Sequence, residues 1–285
     1  MSDRAQLPDL ELAATSSKPD KNTMPNAILV FDIDGVVRDV GGSYRRAVRD
    51  TVEHYTQAAY RPSSNDIDQM KAEGIWNNDW KLSQEMAERY WEGQGKNRAE
   101  LGLDYDEIVE FFQVKYRGPE SAPFTGYIKD EPLLMSKAYL EGLTTANLAW
   151  GFFSGATRGS AGFVLEKRLG LQDPLLVAMG EAADKPEPEG LFQVSEKLAG
   201  GAAGLQVGLP VIYAGDTVAD MHTIRNARAQ QPEGKWYAVG VLPPHVQETE
   251  ERAEAYIAVL KEAGADVVVA NIEELNAEMV NWLTS

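Results

Sequence analysis

The chain has 285 residues, 44% of them hydrophobic, enough for a sizeable core in one large or two modest domains and too many for global disorder. Its 44 acidic against 27 basic residues give a net charge of −17, which argues against a nucleic-acid or anionic-membrane binder, since both need a basic surface. Cysteine is absent and there are three histidines, so disulfides, thiolate catalysis, cysteine-ligated zinc and a histidine-rich metal site drop out.

Residues 1–26 mix Ser, Thr, Pro, Asp and Lys without periodicity and are expected to form a disordered tail. They carry no apolar signal core, and no apolar run is long enough to span a bilayer, so a cytoplasmic location is expected. Ala27 to Phe31 is apolar at every position, the mark of a strand buried on both faces. From 43 to 117 the pattern is only helical. Ser43 is the expected cap of a helix running to Tyr60, followed by helices over Asp66–Glu73, Asp79–Trp91 and Tyr105–Tyr116. Arg117 to Lys129 reads as a return linker.

Strand patterns follow at Ala149–Phe153, Leu175–Met179, Pro210–Ala214, Trp236–Val241 and Asp266–Ala270. Helical patterns over Ser160–Leu169, Glu189–Ala199, Ala219–Ala229, Glu248–Ala263 and Ile272–Leu283 alternate with them. Such alternation predicts an α/β fold: a doubly wound parallel sheet built from 27–42 and 118–285, with an all-α module, 43–117, inserted after the first strand.

Four segments near strand exits carry chemistry. Asp32 and Asp34 follow the first strand, and Gly35 permits a turn that lets both face the crevice beyond it. Asp32 suits a nucleophile forming an acyl phosphate, and Asp34 a general acid and base. The bland alternative is an Asx turn closing a strand. Ser154-Gly155 opens a helix after an apolar strand, where a hydroxyl and free N–H groups would bind phosphate oxygens; a plain helix cap is the alternative. Lys185, stiffened by Pro186 and Pro188, would neutralise a phosphoryl group, or is a solvated surface lysine. Asp216 and Asp220, one helical turn apart, offer hard oxygen ligands suited to magnesium, or merely complement a helix dipole. All four segments sit in order near strand exits, and each supplies what phosphoryl transfer requires.

With these residues the sequence resembles the haloacid dehalogenase superfamily of phosphohydrolases. Phe31 to Val36 matches its first motif, Ser154-Gly155 its second, Lys185-Pro186 its third and Gly215 to Asp220 its fourth. An insertion between the first two motifs resembles the subgroup with a helical cap, which includes phosphoglycolate-phosphatase-like enzymes. The resemblance implies a Rossmann-like core and Mg2+ held by the Asp32 carboxylate, the Asp34 main-chain carbonyl and the Asp216 carboxylate. Asp220 would act nearby, through water or by orienting Lys185. It also implies a cap that closes over a small phosphorylated metabolite. Asp34 argues against the dehalogenases, which lack that second acid and attack carbon. Phosphosugar mutases share much of the pattern but often place adjacent acids in the fourth motif.

Specificity is expected from the cap. Arg45, on its first helix, would meet a second anionic group, and Trp76, Asn77 and Trp80 would form a lid over the substrate; packing of the two tryptophans within the cap is the alternative. The expected function is a Mg-dependent phosphatase working as a monomer or homodimer. A mutase or phosphotransferase, or a catalytically silent phospho-ligand or protein-binding domain, are the competing readings.

Overall fold

A computed structural model of the chain describes residues 24–73, 76, 78–201 and 208–285. The expected tail lies outside the described residues up to residue 23, and so does Asn77.

Six parallel strands form one sheet: β1 Ala27–Phe31, β2 Leu148–Phe153, β3 Leu176–Val177, β4 Val211–Gly215, β5 Trp236–Val241 and β6 Val267–Val269, in the order β3-β2-β1-β4-β5-β6. The alternation of β1 side chains divides the core. Leu29 and Phe31 pack on one face with Leu140, Leu143, Val164, Leu165 and Val280. Ile28 and Val30 pack on the other with Leu191, Val194, Met221, Ile224 and Leu260. Every β1 residue is buried, because a strand between two helical layers has no solvated face.

The expected α/β doubly wound architecture is therefore present. The strand order reverses between β1 and β4, and ligands of open α/β sheets bind at that crevice, beyond the strands' carboxyl ends. Asp32 leaves β1 and Asp216 leaves β4 on either side of it. Phe31 pairs in register with Ala214, and Asp32 N donates to Ala214 O at 2.9 Å.

Between β1 and β2 lie α1 Gly41–Tyr55, α2 Ser64–Ala72, α3 Asp79–Gly93 and α4 Tyr105–Tyr116. They pack around a core of their own that includes Ala47, Val48, Val52, Ile67, Leu82, Met86 and Phe112. Two strands of linker join this helical module to the sheet. They pair through backbone bonds from Asp39 N to Pro132 O and from Leu134 N to Val37 O, both 2.8 Å. Among the described residues the remaining α-helices are α5 Lys137–Thr145, α6 Arg158–Gly162, α7 Glu189–Leu198, α8 Val218–Gln230, α9 Glu250–Ala263 and α10 Ala277–Thr284. No helix among the described residues is long and apolar enough to cross a membrane.

Several boundaries differ from expectation, each for a local reason. Ser43 does not cap α1: its hydroxyl donates to Val40 O at 3.2 Å and to Glu131, and the helix starts two residues earlier. That helix stops at Tyr55, short of Tyr60, because Gln57 and Ala58 turn to φ 58° and 63°. The helix expected over Ser160–Leu169 starts at Arg158, capped by Thr157, and continues as a π turn over Phe163–Arg168. The helix expected over Ile272–Leu283 divides into a 3-10 turn, Ile272–Glu274, and α10. Asn276 restarts it by accepting from Glu278 N and Met279 N. Helix α5 was not expected; Ser136 caps it and Leu140 and Leu143 anchor it.

Candidate active site

The end of β1 delivers a nearly buried Asp32 carboxylate to the crevice. Lys185 comes from the loop between β3 and α7 and meets it. The ammonium nitrogen lies 2.8 Å from Asp32 Oδ1 and 2.8 Å from Asp220 Oδ1. The Asp32 contact is an ion pair at hydrogen-bond distance. Two aromatic faces enclose the ammonium, Phe153 at 5.3 Å and Tyr213 at 5.4 Å from their ring centres. Asn226 Nδ2 donates to Pro186 O at 2.9 Å and fastens the lysine loop to α8.

Asp220 is satisfied from several directions. Its Oδ1 accepts from Lys185 and, at 2.9 Å, from the Tyr213 hydroxyl. Its Oδ2 accepts from Thr217 N at 3.0 Å and from the Thr217 hydroxyl at 2.6 Å, closing the capping box that starts α8. Burial opposes its charge, but Lys185 and these donors outweigh it and hold the carboxyl below its usual range. Asp220 thus orients Lys185 rather than offering open lone pairs. Burial likewise opposes the Lys185 charge, and Asp220 and Asp32 overcome it, so the ammonium is kept protonated.

Asp216, half-buried, has fewer partners. Burial, then the charges of Asp220 and Asp32, raise its pKa well above the ordinary value. Burial also pushes Asp32 up to about 7 against the pull of Lys185. Carboxylate oxygens of Asp32, Asp216 and Asp220 lie within 4.8 Å of one another. Acids crowded this way, two of them under-neutralised, fit a divalent cation. Gly35 makes the approach possible: at its φ of +77° a Cβ would fall 2.0 Å from Asp216 Oδ2.

Asp34 stands apart from this cluster, on the wall of a cavity of about 400 Å³ between the sheet and the helical module. Tyr44, Trp80, Gln113, Arg117, Gly155 and Met179 also line it. Arg38, fully buried, holds the Asp34 carboxylate through Nε and Nη2; Nη2 also donates to Ser160 Oγ at 3.4 Å, and Nη1 donates to buried Glu131 at 2.9 Å. Ser154 is buried at the same sheet edge, its hydroxyl accepting from Ala156 N at 3.1 Å.

The structure therefore brings together Asp32, Lys185, Asp216 and Asp220, and puts Asp34, Gly155 and Trp80 on one adjoining cavity. Trp76 is elsewhere, packed in the helical module with its indole N–H donating to Glu73 at 2.7 Å. Arg45 lines a different cavity, because a step of one residue along α1 from Tyr44 turns its side chain about 100° away. Sequence reasoning missed Arg38, Glu131, Tyr213 and Arg117. Nothing local marks Arg38 or Glu131, since their roles depend on contacts across 93 residues, between Arg38 and Glu131, and 122, between Arg38 and Ser160.

A family profile described as "Hydrolase: haloacid dehalogenase-like hydrolase" matches residues 27–228. A protein of Phytophthora nicotianae named imidazoleglycerol-phosphate dehydratase is 29% identical over 251 residues, covering 86% of this chain and 50% of that protein. The chain thus spans about half the length of this curated relative. Among solved structures, a phosphatase from Thermococcus thioreducens superposes with a TM-score of 0.61 at 22% identity, covering 80% of this chain and 98% of that one. A putative beta-phosphoglucomutase from Thermotoga maritima gives 0.60 at 16% identity, covering 90% and 99%. Identities this low speak for the fold alone. On the strength of the family match, the chain belongs to the haloacid dehalogenase-like hydrolases.

Proposed function

We propose that this haloacid dehalogenase-like hydrolase is a magnesium-dependent phosphatase acting on a small phosphate monoester through a phospho-aspartate on Asp32. One observation carries the reading. Asp32 sits at the switch point in contact with Lys185 and within the acidic cluster, next to a cavity of ligand size lined by Asp34.

The Asp32 and Asp216 carboxylates and the Asp34 main-chain carbonyl are the groups to hold the ion, which when bound neutralises phosphoryl charge. An Asp32 oxygen attacks phosphorus, and the bond to the leaving oxygen breaks. Asp34 gives that oxygen a proton, then takes one from the water that cleaves the acyl phosphate and regenerates Asp32. Lys185 offsets the charge spread over the transferring oxygens. The helical module is the cap: it supplies Tyr44, Trp80, Gln113 and Arg117 to the substrate wall and excludes water on closing. Arg117 suits a substrate with a second anionic or hydrogen-bond-accepting group.

The test is inorganic phosphate release from a panel of phosphorylated metabolites, with Mg2+ or with chelator, by the full chain and by Asp32→Asn. The panel includes imidazoleglycerol phosphate, the compound in the Phytophthora relative's name. Mg-dependent release abolished in Asp32→Asn is expected. Release that survives the substitution would refute the nucleophile, and conversion of a phosphosugar to its isomer without free phosphate would favour the mutase.

A further inference from the structure

A second cavity, of about 580 Å³, lies on the other side of α1. Five arginines line it: Arg45, Arg46, Arg49 and Arg61 from the helical module and Arg252 from α9 of the sheet domain. His245 joins them, against two acids, Asp39 and Glu248. This concentration of one sign stands in a chain of net charge −17. Guanidinium groups do not relieve mutual repulsion by losing a proton, so a counter-charge must come from elsewhere.

Part of it is internal. Arg61 pairs with Asp50 at 2.7 Å and Glu53 at 2.5 Å, and Arg252 with Glu248 at 2.5 Å. Asp39 Oδ1 accepts from Gly41 N at 2.9 Å, so this acid serves the start of α1. Arg46 and Arg49 make no ion pair with a carboxylate among the described residues. The Arg46 guanidinium lies over the Tyr127 ring at 4.1 Å. Arg49 donates from Nη2 to Ser64 Oγ at 2.6 Å, and its buried Nε has no hydrogen-bond partner.

We propose that this cavity binds a compact polyanion, a small molecule bearing two or more phosphate or carboxylate groups, that bridges the helical module and the sheet domain. The volume exceeds the needs of a single oxyanion, and arginines contributed by both the helical module and the sheet domain call for more than one negative group. Among the described residues no Trp, Tyr or Phe side chain lines the cavity to stack on a base, which favours a compact polyanion over a nucleotide. The walls belong to both bodies, so the bound ligand restrains one against the other beside their linkers. The inference does not rest on the phosphatase reading.

The probe is sodium tripolyphosphate, titrated calorimetrically into the full chain in chelator at low and raised salt. Saturable binding that weakens with salt is expected, with inorganic phosphate weaker by about tenfold or more. Arg46→Gln/Arg49→Gln should lose about tenfold or more in affinity, and Lys185→Ala should lose none. Circular dichroism checks the fold; if the pair misfolds, Arg46→Gln alone, at an exposed side chain, gives the same readout. No saturable binding overturns the proposal. So does binding that survives the arginine substitutions, or that is lost in Lys185→Ala, which would move the polyanion to the candidate active site.

Discussion

Arg38 Nε and Nη2 both lie 2.7 Å from Asp34 Oδ1, so one buried guanidinium grips a single oxygen of the proposed acid–base group, a residue that lines the cavity. The other side of the fork is fixed by Glu131, whose second oxygen accepts from Ser43. Arg38 belongs to the outgoing linker, Glu131 to the returning one and Ser43 to α1. The grip on Asp34 is therefore tied to the junction about which the helical module would move. In the proposed mechanism Arg38 is a positioning residue that would act on the reaction through Asp34.

Replacing Arg38 by Met should lower kcat by about 10–100-fold, less than the roughly 10²–10⁴-fold of losing a general acid–base group outright, with a smaller change in KM. It also leaves Glu131 buried without its cation, at a cost of about 3–5 kcal/mol in stability. Arg38→Lys should rescue little, since one ammonium cannot span Asp34, Glu131 and Ser160 together. Steady-state kinetics beside thermal unfolding decide it. A kcat equal to wild type in a folded Arg38→Met protein would make the contact purely structural.

A second expectation concerns pH. Burial lifts the Asp32 carboxyl from 3.8 to about 7, and burial lifts Glu131 from 4.5 to about 7. Between those values the unfolded chain has released these protons and the folded chain holds them. Stability of the metal-free protein therefore falls as pH rises through this window. Each group contributes at most about 1.4 kcal/mol per pH unit. Asp220 is shifted the other way, and its contribution is lost only on acidification below its ordinary 3.8. Scanning calorimetry in chelator should show Tm decreasing from about pH 5 to 7, the window these shifts define, and Asp32→Asn should flatten the slope. A Tm that climbs across the window in the metal-free wild type would contradict the burial argument.

How much of this was legible beforehand follows from the range of each interaction. Ala27 to Phe31 declares a doubly buried strand by composition alone, and β1 occupies those residues. Asp32, Lys185, Asp216 and Asp220 were readable because each stands near the exit of a strand or loop with its own local signature, and the sheet gathers those exits. Arg38 and Glu131 carry no such signature: a lone Arg and a lone Glu acquire meaning only when two linkers pair. The separation of Trp80 from Trp76 was equally hidden. Which face of the module meets the sheet depends on packing of α1 to α4 against one another, not on any short pattern.

That separation makes a third prediction. Trp80 lines the cavity at Asp34, while Trp76 packs within the module and donates to Glu73. With the substrate found by the panel, Trp80→Ala should raise KM by about tenfold, the loss of one well-buried aromatic contact. Trp76→Ala should leave KM within about twofold of wild type and appear instead as lost stability, roughly 1–3 kcal/mol. Equal KM effects at the two positions would mean that the module presents a different face to substrate.

The metal argument gives a fourth. Asp216 combines a strongly raised pKa with few partners, so an added cation gains most there. Mg2+ should raise the Tm of wild type, and this gain should be largely lost in Asp216→Asn, together with a Mg2+ activation constant at least about tenfold higher. An unchanged Mg2+ response in Asp216→Asn would remove the residue from the proposed ligand set.

Gly35 supplies the sharpest steric test of the same site. Its φ of +77° is the left-handed region in which a Cβ is strained, and that Cβ would lie 2.0 Å from Asp216 Oδ2 and 2.4 Å from its Cγ. The carboxylate must then move, and it carries its proposed share of the ion with it. Gly35→Ala should cost about 1–3 kcal/mol in stability through backbone strain and, independently, weaken Mg2+ activation as Asp216→Asn does. Combining the two substitutions separates the effects. If both act through the Asp216 carboxylate, the double variant loses little more Mg2+ response than either single one, while the strain penalty of Gly35→Ala persists. Additive losses in Mg2+ response would show that Gly35 shapes the site by some route other than admitting Asp216.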